Sequence, residues 1–188
     1  MIDFLYSIDV SIFYFINHTI SNPLFDKFFV FVTEVKHWYI AYIILLGIGV
    51  VKGGRRGRIA AVGSIIVITI SDQLNSSILK NLFQRTRPCQ VLDAIIFTDS
   101  VGCPSSFSFP SSHAVNNFAI AFFLYMLFPN LKWPLFVTAA LVALSRTYVG
   151  IHYPSDIFIG ALIGSLIGYL LALAAIRVDK YFEARRTE

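Results

Sequence analysis

Three short stretches of this 188-residue chain carry side chains suited to holding an anion and doing chemistry on it. In Lys80-Asn-Leu-Phe-Gln-Arg-Thr-Arg87-Pro88, six residues separate an ammonium from a guanidinium, and Pro88 pushes the Arg87 backbone out of the helical region. Such a pair can meet one phosphate from two directions, as a point charge and as a planar fork. In Phe109-Pro110-Ser111-Ser112-His113, proline and serines mark a helix start, with Ser111 or Ser112 available as the cap. Free N–H groups and the positive end of the helix dipole favour a phosphate there, and His113 falls in the first turn. In Ser145-Arg146-Thr-Tyr-Val-Gly-Ile-His152-Tyr-Pro-Ser-Asp156, Pro154 suits the first turn of a helix. Asp156 can then accept a hydrogen bond from one imidazole nitrogen of His152 and leave the other free as a nucleophile.

Each stretch also has a bland reading. Lys and Arg commonly snorkel at the ends of membrane helices. A capped helix can carry an incidental interfacial histidine. Asp156 can simply compensate a helix dipole while His152 sits at an interface. Three such coincidences at one end of one bundle are the less economical account.

The elements that must position these groups are membrane helices. Hydrophobic residues make up 56% of the chain and charged residues 14%, with a mean hydropathy of +0.70. A water-facing domain of this size carries about a quarter charged residues. Four segments read as spans, namely residues 59–79, 114–128, 134–144 with their neighbours, and 157–178. Residues 38–51 form a fifth apolar run, with Trp38 and Tyr39 suited to an interface. Residues 2–20, broken by Asp3, Asp9, Asn17 and His18, could lie along the interface as an amphipathic helix, and 23–35 could form a short first span. The expectation is an all-α, integral membrane bundle of about six transmembrane helices, with an optional interfacial N-terminal helix. Residues 1–188 form a single domain on this reading. The start, MIDFLYSID, lacks a basic region and a small-residue cleavage site, so no removable signal peptide is expected.

Charge sets the expected orientation. Lys52, Arg55, Arg56, Arg58, Lys132, Arg177, Lys180, Arg185 and Arg186 fall on one side if the spans alternate, and that side is then cytoplasmic. Lys80, Arg85, Arg87 and Arg146 fall on the other side, against the bias, and an anion site gives the simplest reason. Cys89 and Cys103 lie in the same outer segment; on an oxidising face they can form a disulfide, and otherwise they are two unpaired thiols. No cysteine or histidine spacing suggests zinc, and no nucleic-acid signature is present.

Taken together, Lys80-x6-Arg87-Pro88, Pro110-Ser111-Ser112-His113 and Ser145-Arg146-x5-His152-x3-Asp156 resemble the three signature motifs of the type 2 phosphatidic acid phosphatase superfamily. The soluble branches of that superfamily are class A acid phosphatases and vanadium haloperoxidases; the hydrophobic flanks here are similar to its membrane branch. One position departs: Ser112 stands where the family usually has glycine, which keeps the backbone N–H but is expected to shift local geometry.

The resemblance implies a metal- and cofactor-free hydrolase acting on a lipid phosphate or pyrophosphate in the bacterial inner membrane, at its outer face. It implies His152 as nucleophile, Asp156 as the residue that orients it, and His113 as the acid and base. Lys80, Arg87, Ser111, Ser112 and Arg146 then hold the phosphate, and Arg85 belongs to a rim that meets the headgroup. Undecaprenyl pyrophosphate or a glycerolipid phosphate (phosphatidic acid or phosphatidylglycerol phosphate) is the first expectation, and a lipid A 1-phosphatase the alternative. From another class, a non-catalytic lipid-phosphate-binding or transport protein would keep the cations but has no need of a His–Asp pair.

Other polar residues have structural readings. Asp72 lies two turns before Lys80 and could back it, although a hydrogen bond inside the bundle is the preferred reading, as for Asn116 and Asn117. Gly160, Gly164 and Gly168, four residues apart, suit close packing within the bundle ahead of a homodimer contact.

Overall fold

The computed structural model describes residues 2–93, 95–96 and 101–185, and of Ile2 the backbone alone. Arg186, counted above with the basic residues, lies outside them. Among the described residues the chain is helical and carries no strand.

Helix α1 (Ile2–Tyr14) runs through a π-helical turn, Phe15–Thr19, to α2 (Pro23–Thr33). The α2 start follows from sequence: Asn22 Oδ1 accepts from the amides of Leu24 and Phe25 at 3.1 and 3.0 Å, and Pro23 occupies the first turn. A short 3-10 turn, Val35–Trp38, leads to α3 (Tyr39–Val51), which forms a hairpin with α4 (Gly54–Gln73). That hairpin needs glycine, since a Cβ on Gly53 would lie 2.5 Å from the Gly49 carbonyl oxygen. α4 continues through a π-helical turn, Leu74–Leu79, into the single turn α5 (Lys80–Phe83), and a second short turn, α6 (Pro88–Val91), follows. The chain then crosses to α7 (Ser112–Leu127), α8 (Lys132–Tyr148) and the long α9 (Pro154–Ala184).

Helices α4, α7 and α9 pack around Ala60, Val67, Ala119, Phe123, Leu127 and Ala172. Small residues dominate because the helices approach closely. A Cβ on Gly164 would meet the Val115 carbonyl oxygen at 2.2 Å, and one on Gly168 the Ala119 oxygen at 2.2 Å. The glycine stripe is thus the seam between α9 and α7, the within-bundle use expected of it. On the opposite face of α9, Phe158, Leu162, Leu166 and Leu170 are exposed at the same four-residue spacing, as a lipid-facing surface requires.

Two described segments, Gly54–Val91 and Pro154–Ala184, are long and apolar enough to cross a membrane alone; α2 with α3, bent by 69°, makes a third if taken as one span. Helices α7 and α8 fall short of the expectation placed on them. At 16 and 17 residues they reach about 24–26 Å against a hydrocarbon core of about 30 Å. Their ends are given over to loops that build a polar cluster. The N-terminal segment also differs from a simple surface helix. One side of α1 is exposed through Phe4, Leu5 and Ile8, whereas Asp9, Phe13 and Asn17 are buried. Asn17 donates to the carbonyls of Tyr148 and Ile96 and accepts from the Ile96 amide, tying this segment to two distant loops.

Chain direction places the two ends of the bundle. α7 and α9 start together, for the Ser111 amide donates to the Asp156 carbonyl at 3.1 Å. The start of α4 meets the end of α9 through Arg55 and Asp179. The described basic residues of the expected cytoplasmic side, Lys52 through Arg58, Lys132, and Arg177 through Arg185, therefore gather at one end, and the three motifs at the other.

Candidate active site

The site forms where α7 and α9 begin and where α5 and α8 end. Pro154 opens α9, so His152 sits just outside the helix and Asp156 in its first turn. The Asp156 side chain is completely buried. Its Oδ2 accepts from the Tyr153 amide at 2.9 Å, from the Ser108 hydroxyl, and from His152 Nδ1 at 3.3 Å. With Nδ1 protonated toward Asp156, His152 Nε2 is the acceptor for Arg87 Nη1, 3.0 Å away. Burial pushes the His152 imidazole down to about 3, against the pull of Asp156, so the ring is neutral at physiological pH and Nε2 keeps its lone pair.

Three cations surround this pair. Arg87, 3% exposed, is held by main-chain oxygens: Nε donates to Ser106 at 2.7 Å, Nη1 to Ile151 at 3.0 Å and Nη2 to Phe107 at 3.2 Å. Its extended backbone before Pro88 (φ −80°, ψ 152°) is the conformation proline imposes. Lys80 is 6% exposed and donates to the Phe107 carbonyl at 2.6 Å. Arg146, 8% exposed, donates through Nη1 to Thr33 Oγ1 at 2.5 Å. Lys80, Arg87 and Arg146 are close enough for their charges to act on one another, and those of Arg146, His152 and Lys80 act on His113, so the five groups share one region of the bundle.

Among the described residues none of Lys80, Arg87 and Arg146 forms an ion pair. Buried cations without a carboxylate are costly unless an anion joins them. Two buried polar atoms of the same cluster, Arg146 Nε and Ser111 Oγ, have no hydrogen-bond partner. Satisfying all of these groups calls for a small, multiply charged acceptor, which a phosphate supplies.

Several expected residues take places that the sequence did not specify. Ser111 is the N-cap of α7 by position only, since its hydroxyl makes no capping bond and its amide is occupied by Asp156. The first α7 bond runs from the Val115 amide to Ser111, so the amides of Ser112, His113 and Ala114 precede it and have no helical acceptor. Ser112 turns its hydroxyl to Asn75 Nδ2 at 2.8 Å, a use for the side chain that glycine would lack. Arg85, expected at the rim, donates to Asp156 Oδ1 and to Asp9 Oδ2, both at 2.7 Å, and its guanidinium lies 3.9 Å above the Tyr153 ring. Two buried carboxylates hold this cation, whose side chain stays 25% exposed.

Asp72 accepts from Asn116, which in turn accepts from Ser71, inside the α4–α7 contact, and Asn117 donates to the His113 carbonyl. Cys89 and Cys103 are disulfide-bonded and clamp the loop that presents Ser106 and Phe107.

Four contributors were not read as site residues from the sequence. Ser108 binds Asp156 from a loop, and Thr33 meets Arg146 and the His113 ring from the end of α2. Asn75 anchors the Pro110 carbonyl from the π-helical turn, a distortion common at functional sites. Asp9 reaches the site through Arg85, and its clue was a charge in the middle of a largely apolar helix.

The sequence matches a known family. Residues 61–179 match the model of the PAP2 superfamily, and the chain belongs to it. It is 33% identical over 181 residues to the lipid A 4'-phosphatase of Bacteroides thetaiotaomicron, covering 93% of this chain and 80% of that one. It is 31% identical over 157 residues to the lipid A 4'-phosphatase of Porphyromonas gingivalis, covering 81% of this chain but just under two thirds (66%) of that one. Among solved structures, the PAP2 type phosphatidylglycerolphosphate phosphatase of Bacillus subtilis superimposes with a TM-score of 0.66 at 26% identity, over 94% of this chain and 87% of that one. Fold and kinship are those of a membrane lipid phosphatase of this superfamily.

Proposed function

We propose that this phosphatase hydrolyses a lipid-borne phosphate through a phosphohistidine, with His152 as nucleophile. The observation that carries the reading is the set of three buried cations, without an ion pair among the described residues, around a neutral His152 whose Nδ1 is turned to Asp156. A phosphate drawn among Lys80, Arg87 and Arg146 takes over the Arg87 N–H that otherwise faces Nε2. Nε2 then forms a bond to phosphorus as the bond to the lipid oxygen breaks, and His113 gives that oxygen its proton. In the second step a water loses a proton to His113 and attacks phosphorus, the P–N bond breaks, and inorganic phosphate leaves. The cations, Ser111 and the first amides of α7 stabilise charge on the non-bridging oxygens in both steps.

Residues 1–188 act as one membrane-embedded unit of about six helices, the shorter ones α7 and α8 included, on this reading. The basic end of the bundle faces the cytoplasm of a bacterial inner membrane, so the site opens at the outer face. A lipid then enters with its tails still in the bilayer. The names of the Bacteroides thetaiotaomicron and Porphyromonas gingivalis relatives support a phosphate on lipid A as the substrate. The name of the Bacillus structure supports a glycerolipid phosphate as the second reading, one of the two first expectations beside undecaprenyl pyrophosphate. A carrier that merely binds lipid phosphates would not require Nδ1 held by Asp156.

Purified protein in detergent, with chelator present, is expected to release phosphate from a panel of these lipids. His152→Gln is expected to lower the rate by about 10³-fold or more, as loss of a covalent nucleophile does. Near wild-type turnover in that variant rejects the nucleophile, and no turnover of any lipid by the native chain rejects the enzyme.

A further inference from the structure

Asp156 has two oxygens with two different duties. Oδ2 serves Tyr153, Ser108 and His152, whereas Oδ1 receives Arg85 Nη1. The other end of the same guanidinium is taken by Asp9, 8% exposed on α1. Asp9 is itself fixed, because its Oδ1 accepts from the Ser155 amide at 2.9 Å and its Oδ2 from the Ser155 hydroxyl at 2.5 Å. A carboxylate thus caps the start of α9 from another helix and steers the arginine behind the nucleophile. Asp9 lies outside the residues matched by the family model.

We infer that Asp9 is a positioning residue for His152, acting through Arg85 and Asp156; the inference rests on the nucleophile reading above. Charge gives the reason. When Nε2 bonds to phosphorus, the imidazole ring becomes cationic in a pocket that already holds Lys80, Arg87 and Arg146. Arg85 alone would neutralise Asp156 and leave that new charge without a counterion. With Asp9 on its far side, Arg85 is shared by two carboxylates, and the row Asp156–Arg85–Asp9 keeps one net negative charge behind the ring. Sharing also fixes the fork of Arg85, so that Oδ1 is held and Oδ2 stays directed at Nδ1. α1 is then part of the catalytic apparatus as well as a membrane-facing helix.

The test is a double-mutant cycle in the full-length protein with a lipid phosphate that the native chain turns over. Asp9→Asn is expected to lower kcat by about 10- to 100-fold, the scale of a misplaced reacting group. KM should stay within about twofold, because the phosphate-holding cations are untouched. Rapid-quench trapping should assign the loss to formation of the acid-labile phosphoenzyme. Asp9→Glu should recover most of the rate, and Asp9→Asn should add nothing in an Arg85→Gln background. Wild-type kcat in Asp9→Asn overturns the inference. So do losses that multiply in the double variant, and so does a loss matched by the fall in folded fraction on size exclusion with no Asp9→Glu recovery. A His152→Gln control run alongside separates the two levels. If it is inactive while Asp9→Asn is normal, only the role of Asp9 is rejected; if it is active, the nucleophile and this inference fall together.

Discussion

The two ends of the bundle use the same residue types in opposite ways. At the basic end, Arg55 pairs with Asp179 at 2.6 Å and with Glu183 at 3.7 Å, and Arg56 reaches Asp179 at 3.6 Å. Those arginines stay 35% and 60% exposed, so water carries much of the solvation. At the other end Lys80, Arg87 and Arg146 are nearly sealed off, and carbonyls and a hydroxyl, with no carboxylate among the described residues, hold them in place. Among the described residues, Arg85 is the arginine there that does meet carboxylates, and its charge is shared with Asp9 and Asp156. An arginine's use is therefore set by what neutralises it. Neutral oxygens fix its geometry and leave its charge for a ligand; carboxylates consume the charge.

Substitutions at the two ends should separate sharply. Arg87→Ala removes the cation nearest His152 Nε2 and is expected to lower kcat by about 10²- to 10³-fold in phosphate-release assays, the scale of losing one preorganised donor. A much smaller loss would mean that main-chain contacts, not anion binding, account for this arginine. Gly164→Leu, midway between the ends, forces α9 off the Val115 carbonyl. It should cost about 1–3 kcal/mol of overpacking and reduce activity as well, read from thermal melting and turnover together; wild-type activity would show that the α7–α9 seam does not set the spacing of the two histidines. Cys103→Ser opens the loop closed by the disulfide and should destabilise by up to about 3 kcal/mol, seen as a lower melting temperature that reductant reproduces in the native chain. Arg55→Ala, at the exposed end, should change stability by less than about 1 kcal/mol and leave kcat unchanged. A large catalytic effect there would break the contrast between the ends.

The motif residues were legible because their chemistry is local. His152 and Asp156 are four positions apart on either side of a helix start that Pro154 announces, so the sequence nearly dictates their contact. Arg87 was legible through Pro88, whose ring fixes the preceding backbone. Ser108 and Thr33 were not, since serine and threonine in a loop or at a helix end are common and their partners lie far along the chain. The partners of Arg85 were hidden for a related reason. Its position at a span end is what snorkelling produces, and the two buried acids that bind it lie on other helices. Span lengths were read less well than helix existence. An apolar run shows that a helix is buried or lipid-facing, but the point at which it yields to a site-building loop, as at Ser112 and Tyr148, depends on contacts with other segments.

From residue order alone came a lipid-solvated helical chain, its charge asymmetry, the glycine seam and three groups of phosphate chemistry, because periodicity, composition and short spacings report local physics. Folding decided which cations stay unpaired, which arginine backs Asp156, and that Asp9 and Thr33 from the first two helices reach the site. Each of those outcomes is a competition among charges and donors from separate helices. Only their relative positions in space determine which partner prevails.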